Sequence, residues 1–384
     1  MGTIRTRVLV SLASSLFACG LGGWWLARRG TDAPLRLVDR SPEADALLLE
    51  RRGPASGGPS SLVREPISAE DASRMWPIDP ALHVYDPQVY YRYKGGLDLD
   101  RGTYHIRTSL DGYREDFERL PAKRDFLAVV TGDSHTDGVC DNRESFANRL
   151  EARLSERHAG KAVEVLNTGV SGYSFYQYLG SLERHLALSP DAFVVAFYGG
   201  NDFLDVVRPW HYFHHTVPPP RSNEYWKKLS SAQGISPALV GNAFNQLLYF
   251  QYNPDQMDVA LKAAEEVSAE IVRVCRRHGI APFFVYIPPG IGAAAGRSPE
   301  FAKTMAALEL SEGEYAQFDR LADALIGKLN DSGAEVIDLR ESFGPDLRAY
   351  YLSDLHINPK AHERIAELLL PRVEAAWLAR SAAK

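Results

Sequence analysis

Five short, almost unbroken apolar runs constrain this 384-residue chain more than any other feature. They occupy residues 126–131, 163–167, 192–198, 282–287 and 335–338. Short apolar runs with little polar alternation are what strands buried on both faces require. Helical patterns separate them. In residues 256–278, Met257, Leu261, Ala264, Val267, Ile271 and Val274 share one face, and Gly279 supplies a C-terminal stop. In residues 314–330, Tyr315, Phe318, Ala322, Leu325 and Leu329 do the same. Asn358 and Pro359 suit the N-cap and first residue of a last helix, which Pro371 should kink or split. Strands alternating with helices predict an α/β fold, a mostly parallel five-stranded sheet between two helical layers. Right-handed crossovers then bring the loops after the strands to one edge, where such sheets bind ligands.

Polar clusters stand along that edge. Gly132-Asp133-Ser134-His135 follows the first run, Asn167-Thr168-Gly169 the second and Gly199-Gly200-Asn201-Asp202 the third. Asp354-Leu355-His356 lies between the fifth run and the last helix. A serine hydroxyl is a weak nucleophile that needs a neighbouring base, and a base needs a group to orient it. Ser134, His356 and Asp354 supply the three residue types. Acyl transfer also needs donors aimed at a developing oxyanion. The backbone N–H groups of Ser134 and Gly169 and the side-chain amide of Asn201 are the candidates. Asp133 and Asp202 read as residues that hold the loop backbones.

At these residues the chain resembles the SGNH hydrolases, also called the GDSL family of esterases and lipases. The four family blocks are matched by Gly132-Asp133-Ser134, Gly169, Gly199-x-Asn201-Asp202 and Asp354-x-His356. The resemblance runs from about residue 126 to the C-terminus. It implies a flavodoxin-like three-layer α/β/α sandwich, Ser134 as nucleophile, His356 as base, Asp354 as acid, and Ser134, Gly169 and Asn201 as the oxyanion hole. No cofactor and no metal are expected. One spacing departs from the common pattern. Most of the family has Asp-x-x-His, but Ser353 stands three residues before His356 and Asp354 only two. The shorter spacing is similar to that of SGNH proteins associated with bacterial polysaccharide acylation and deacylation. The segment from Arg107 to Arg114 is similar to a lead-in of SGNH proteins from exopolysaccharide gene neighbourhoods. The expected activity is hydrolysis of O-acyl, chiefly O-acetyl, esters of an envelope carbohydrate. The rival readings are a polysaccharide O-acyltransferase, a lysophospholipase or lipase, and an inactive carbohydrate-binding protein of the same fold.

Around this domain, 126–384, three further regions are expected. Residues 1–30 hold an apolar stretch, 8–27, between Arg5/Arg7 and Arg28/Arg29. It reads as a signal anchor that enters the membrane, a cleaved signal peptide, or a lipoprotein signal ending at Cys19. Each places the remainder outside the cytoplasm, in the periplasm or its equivalent. Residues 31–80 read as a linker, with a possible short helix at 43–50, and 81–125 as a β-rich lead-in with turns at Gly95-Gly96 and Asp111-Gly112. The long segment 203–255 shows few regular signals and leaves the catalytic edge directly after Asn201. It reads as a lid or substrate wall, with Trp210 and Tyr212, beside His135, as substrate contacts. Its His211, His214 and His215 lack a partner carboxylate or cysteine pattern for a metal. A net charge of -6 argues against a nucleic-acid partner. Three cysteines make no disulfide scaffold; Cys140 and Cys275 can pair in an oxidising compartment or stand as separate buried thiols.

Overall fold

The computed structural model describes residues 66–76, 78–117, 123–291, 299–344 and 346–383. The apolar stretch 8–27 and the short helix at 43–50 lie outside the described residues. No helix among those described is long and apolar enough to cross a membrane.

The last part of the segment read as linker belongs to the fold. Helix α1 (Ala69–Met75) is capped by the Ser68 hydroxyl and buries Ala72 and Met75. Two antiparallel hairpins follow: β1 (His83–Asp86) with β2 (Tyr90–Tyr93), and β3 (Asp98–Asp100) with β4 (His105–Arg107). Trp76 stacks on Tyr90 at 4.7 Å, and Tyr91 meets Tyr173 edge-on at 5.2 Å, so aromatic rings carry this lead-in onto the domain.

The domain then alternates as its pattern requires. Strand β5 (Phe126–Gly132) leads to α2 (Ser134–Asp137) and α3 (Phe146–Arg157), then β6 (Val163–Asn167), α4 (Phe175–His185) and β7 (Ala192–Tyr198). The long segment after β7 is helical: α5 (Asp202–Asp205), α6 (Val207–Phe213), α7 (Asn223–Ile235), a π-helical turn at Val240–Phe244 and α8 (Asn245–Tyr252). Next come α9 (Asp255–Arg277), β8 (Ala281–Ile287), α10 (Pro299–Leu308), α11 (Ala316–Asp331), β9 (Glu335–Asp338), α12 (Leu339–Phe343) and α13 (Pro359–Ala383).

The five strands β5 to β9 pair in parallel, in the order β6-β5-β7-β8-β9. Counted within the sheet this is 2-1-3-4-5, the doubly wound order whose switch point lies between its first and third strands. The two faces feed separate cores. Leu127, Val129, Phe193, Val195 and Phe197 join the larger cluster, which extends through α4, α9, the 203–255 helices and the lead-in. Phe126, Ala128, Val130, Ala192, Val194 and Ala196 join the smaller one under α3 and α13. Pro371 stands inside α13 without splitting it; it faces water, where the carbonyl it leaves unpaired can be solvated. Cys140 and Cys275 are both buried and free, and burial pushes each thiol up to about 12.

Candidate active site

The loops after β5, β6 and β7 meet the 354–356 loop at the C-terminal edge of the sheet. Ser134 opens the one-turn helix α2, directly after β5. Its N–H is among the first in that helix and has no intrahelical acceptor. Asp133 caps the turn, accepting the N–H of His135 at 2.9 Å.

His356 comes from the far end of the chain, and its Nε2 lies 3.0 Å from Ser134 Oγ. Asp354 stands behind it. Oδ1 accepts the backbone N–H of His356 at 3.1 Å, and Oδ2 lies 3.3 Å from the ring Nδ1. The latter contact is an ion pair without the alignment of a full hydrogen bond, and among the described residues Nδ1 has no hydrogen-bond partner. The two-residue spacing works because Leu355, buried between them, takes a left-handed φ of 71°. That bend folds the carboxylate back onto its own loop. Burial works to lower the imidazole pKa of His356, but bonding and charge from Asp354, with charge from Asp133 and Asp137, outweigh it and hold it above its ordinary value. Burial likewise works to raise Asp354, and His356 outweighs it, holding that carboxyl below its ordinary range. The pair thus favours a charged imidazolium over a carboxylate.

Candidate donors stand on the other loops. Asn201 caps α5 with a side chain that makes no cap hydrogen bond and is half exposed. Gly169 departs from expectation. Its N–H donates to Asn167 Oδ1 at 3.1 Å, and the residue is buried, so this amide is already occupied. Three residues on, Gly172 is half exposed at φ 82°, and among the described residues no backbone acceptor takes its N–H. A readable signal pointed this way: Asn-x-Gly is an Asx turn, in which the Asn side chain takes the N–H two residues on.

The expected substrate contacts are also redistributed. His135 is fully buried and stacks on Tyr198 at 3.9 Å. Its Nδ1 accepts the N–H of Ile357 at 3.3 Å, and burial, with the neighbouring His356 and His362, holds its pKa well below the ordinary value. It is therefore a neutral strut under the His356 loop and no substrate contact. Tyr212 is buried in the larger core and Trp210, half-buried, packs against that core, so both tie α6 to the domain; Trp210 also stacks on His214 at the end of its own helix, at 3.9 Å. His211 bonds Thr216 and Gln256, and His214 bonds the carbonyl of Trp210. No group of three metal-ligating side chains forms among the described residues.

Beneath the loops lie buried acids. Burial raises the carboxyl of Asp202, and the neighbouring Asp133 raises it further; it accepts Tyr178 Oη at 2.7 Å and the N–H of Tyr198 at 2.9 Å. Asp133 is raised by burial as well. Both thus support loop backbones, as their positions in the sequence suggest.

A nucleophile, a base within hydrogen-bonding distance and a carboxylate behind the base are brought together on one sheet edge. The model of the GDSL-like lipase/acylhydrolase family matches residues 130–364, which is more than half of the chain. The chain belongs to this family. As a family member it is a carboxylic ester hydrolase of the SGNH type. No curated protein matches it. Among solved structures it is similar to a lipase/acylhydrolase from Enterococcus faecalis, with 13% identity, 65% of this chain and 96% of that one covered, and a TM-score of 0.36. It is also similar to a catalytic mutant of an acetylxylan esterase from Geobacillus stearothermophilus, with 12% identity, 66% and 96% covered, and a TM-score of 0.38. An α/β hydrolase from the metagenome of Lake Arreo, Spain, gives 16% identity, 66% and 97% covered, and 0.38. At these scores the assignment rests on the family match and the geometry of the SGNH site.

Proposed function

We propose that the chain hydrolyses O-acyl, chiefly O-acetyl, esters of an envelope carbohydrate through an acyl-serine intermediate. The observation that carries the mechanism is the 3.0 Å approach of His356 Nε2 to Ser134 Oγ, with Asp354 behind the ring. Ser134 Oγ attacks the ester carbonyl and gives its proton to His356 Nε2. The carbonyl electron pair moves to oxygen, which the N–H groups of Ser134 and Gly172 and the amide of Asn201 receive. Asp354 stabilises the imidazolium that forms. Collapse breaks the bond to the alkoxy oxygen, and His356 returns its proton to the leaving sugar hydroxyl. Water, deprotonated by His356, then attacks the acyl-serine; the released acid takes the acyl group and Ser134 regains its proton.

A polar substrate is supported by the surface. Among the described residues the exposed large apolar side chains are few: Tyr85, Leu110, Val217 and Leu378. The Asp-x-His spacing and the Arg107–Arg114 lead-in support the carbohydrate. Export and tethering rest on residues 8–27 alone.

The test is Ser134→Ala assayed on an aryl acetate. Turnover should fall by roughly a thousandfold or more; undiminished turnover overturns the mechanism. An acetylated glycan compared with a long-chain ester and a lysophospholipid checks the substrate. Release of free acetate supports hydrolysis, and its transfer to an added glycan acceptor supports the acyltransferase instead.

A further inference from the structure

The segment between α5 and α9 does more than cover the sheet: it reaches back to two of the four loops at the catalytic edge. Its π-helical turn, Val240–Phe244, is closed by the N–H of Asn245 donating to the carbonyl of Val240, five residues back. Such turns are rare and recur at functional sites. Asn242 sits within it, almost fully buried, and its Nδ2 donates to the main-chain carbonyl of Asp354. Gln246, four residues on and equally buried, donates from Nε2 to the carbonyl of Gly199 at 2.9 Å and accepts the N–H of Leu204 at 3.0 Å. The backbone of the turn closes the same gap. The carbonyl oxygen of Asn242 lies 2.1 Å from where a Cβ on Gly200 would stand. One helical stretch thus touches the loop that carries Asn201 and the loop that carries Asp354 and His356.

The bond to Asp354 falls at a strained point. The carbonyl that Asn242 holds belongs to the peptide joining Asp354 to Leu355, and the rotation of that peptide sets the left-handed φ of Leu355. A bulky residue stays in that region only where its surroundings hold it. Released, the peptide relaxes towards ordinary φ, and the Asp354 carboxylate turns away from His356. From the reading of Ser134, His356 and Asp354 as a triad, we infer that Asn242 is a positioning residue for the acid, and Gln246 its counterpart for the Asn201 loop.

The two residues should fail differently. In Asn242→Ala, kcat on an aryl acetate should fall by roughly tenfold to a hundredfold, with KM little changed. The acid limb of its kcat/KM profile should also move to lower pH. The sign follows from the ion pair: Asp354 raises the pKa of His356, so a displaced carboxylate lets that pKa fall, and the base stays neutral to lower pH. In Gln246→Ala, kcat should fall with the limb unmoved, because the oxyanion side is disturbed and the acid is not. On an Asp354→Asn background, Asn242→Ala should add little, since the carboxylate it holds is already gone. Far-UV circular dichroism confirms folding; where the alanine variant fails to fold, Asn242→Ser replaces it in the same three assays. A folded Asn242 variant with wild-type kcat and an unmoved limb overturns the inference. So does a full, additive loss on the Asp354→Asn background. Activity retained in Ser134→Ala would instead overturn the triad itself, and the two failures are therefore distinct.

Discussion

Two regions that are not part of the α/β alternation grip the catalytic edge, and they grip it by different physics. The lead-in, residues 66–117, does so with a buried charge. Arg114 is 1% exposed; its guanidinium bonds the carboxylate of Asp137, Asn142 Oδ1 at 3.1 Å and the carbonyl of Cys140 at 3.0 Å. Tyr93 adds its hydroxyl to the other oxygen of Asp137 at 2.7 Å. Asp137 stands in α2, three residues after Ser134, so the lead-in is bolted to the nucleophile's own helix. The 203–255 segment uses neutral amides, Asn242 and Gln246, on the loop that carries Asn201 and the loop that carries His356. An ion pair inside the protein is tolerable only while both members are present, whereas a neutral amide can be lost locally. The lead-in should therefore control whether the site exists, and the helical segment how well it is aligned.

The largest expected effect breaks the first half of that comparison. Arg114→Met keeps much of the volume but leaves Asp137 buried without its counter-charge, at a cost of about 3–5 kcal/mol. Chemical denaturation should report that loss, with activity falling in step with the folded fraction. Adding Asp137→Asn should restore a large share of the stability by removing the stranded charge. If Arg114→Met unfolds like the wild type, the lead-in is mere covering.

Neither grip was legible from sequence, and the reasons differ. The sheet was legible because its strands β5, β6 and β7 are buried along their whole length and so read as largely apolar runs; the runs at 163–167 and 192–198 coincide with β6 and β7, and 335–338 coincides with the edge strand β9, whose Glu335 is exposed. The order of the polar clusters followed from that topology. Arg114 and Asp137 are 23 residues apart, and nothing local marks a charge destined for burial. Residues 203–255 read as irregular in part because α8 is covered on several sides, although α7 buries only the single stripe Tyr225, Leu229 and Ala232. In α8 five consecutive residues, Gln246 to Phe250, are buried, which leaves no apolar stripe to detect. His135 and Tyr212 were misplaced for a related reason: polar and aromatic side chains near a site read as contacts, and only the packing shows that they are covered.

An intermediate effect tests the contact between the helical segment and the Asn201 loop. In Gly200→Ala the new Cβ would collide with the carbonyl of Asn242 and, at 2.4 Å, with the ring of Tyr198. Neither is the loose end of a flexible chain, so the loop must shift, at about 1–3 kcal/mol. The rate should fall further than that loss of stability alone explains. Gly234→Ala, in α7 with nothing within 4 Å of its Cβ, is the control and should be neutral or slightly stabilising. Equal losses in both variants would show that the segment resists any change and has no special contact with the site.

The smallest effect asks how far the two grips share one electrostatic task. Three carboxylates raise the pKa of His356: Asp354 most, then Asp133, then Asp137. The acid limb of kcat/KM for the wild type should therefore lie above 6.5, the ordinary imidazole value. Removing a carboxylate destabilises the imidazolium, so every such variant moves the limb to lower pH. Asp354→Asn should move it by about one to three units, as loss of a contacting charge does. Asp137→Asn, whose charge bears less on the ring and is already offset by Arg114, should move it by less than about one unit. A larger displacement for Asp137→Asn than for Asp354→Asn would reverse the comparison: the lead-in would then set the charge at His356, and the two-residue Asp-x-His spacing would have placed its carboxylate there chiefly to hold the loop.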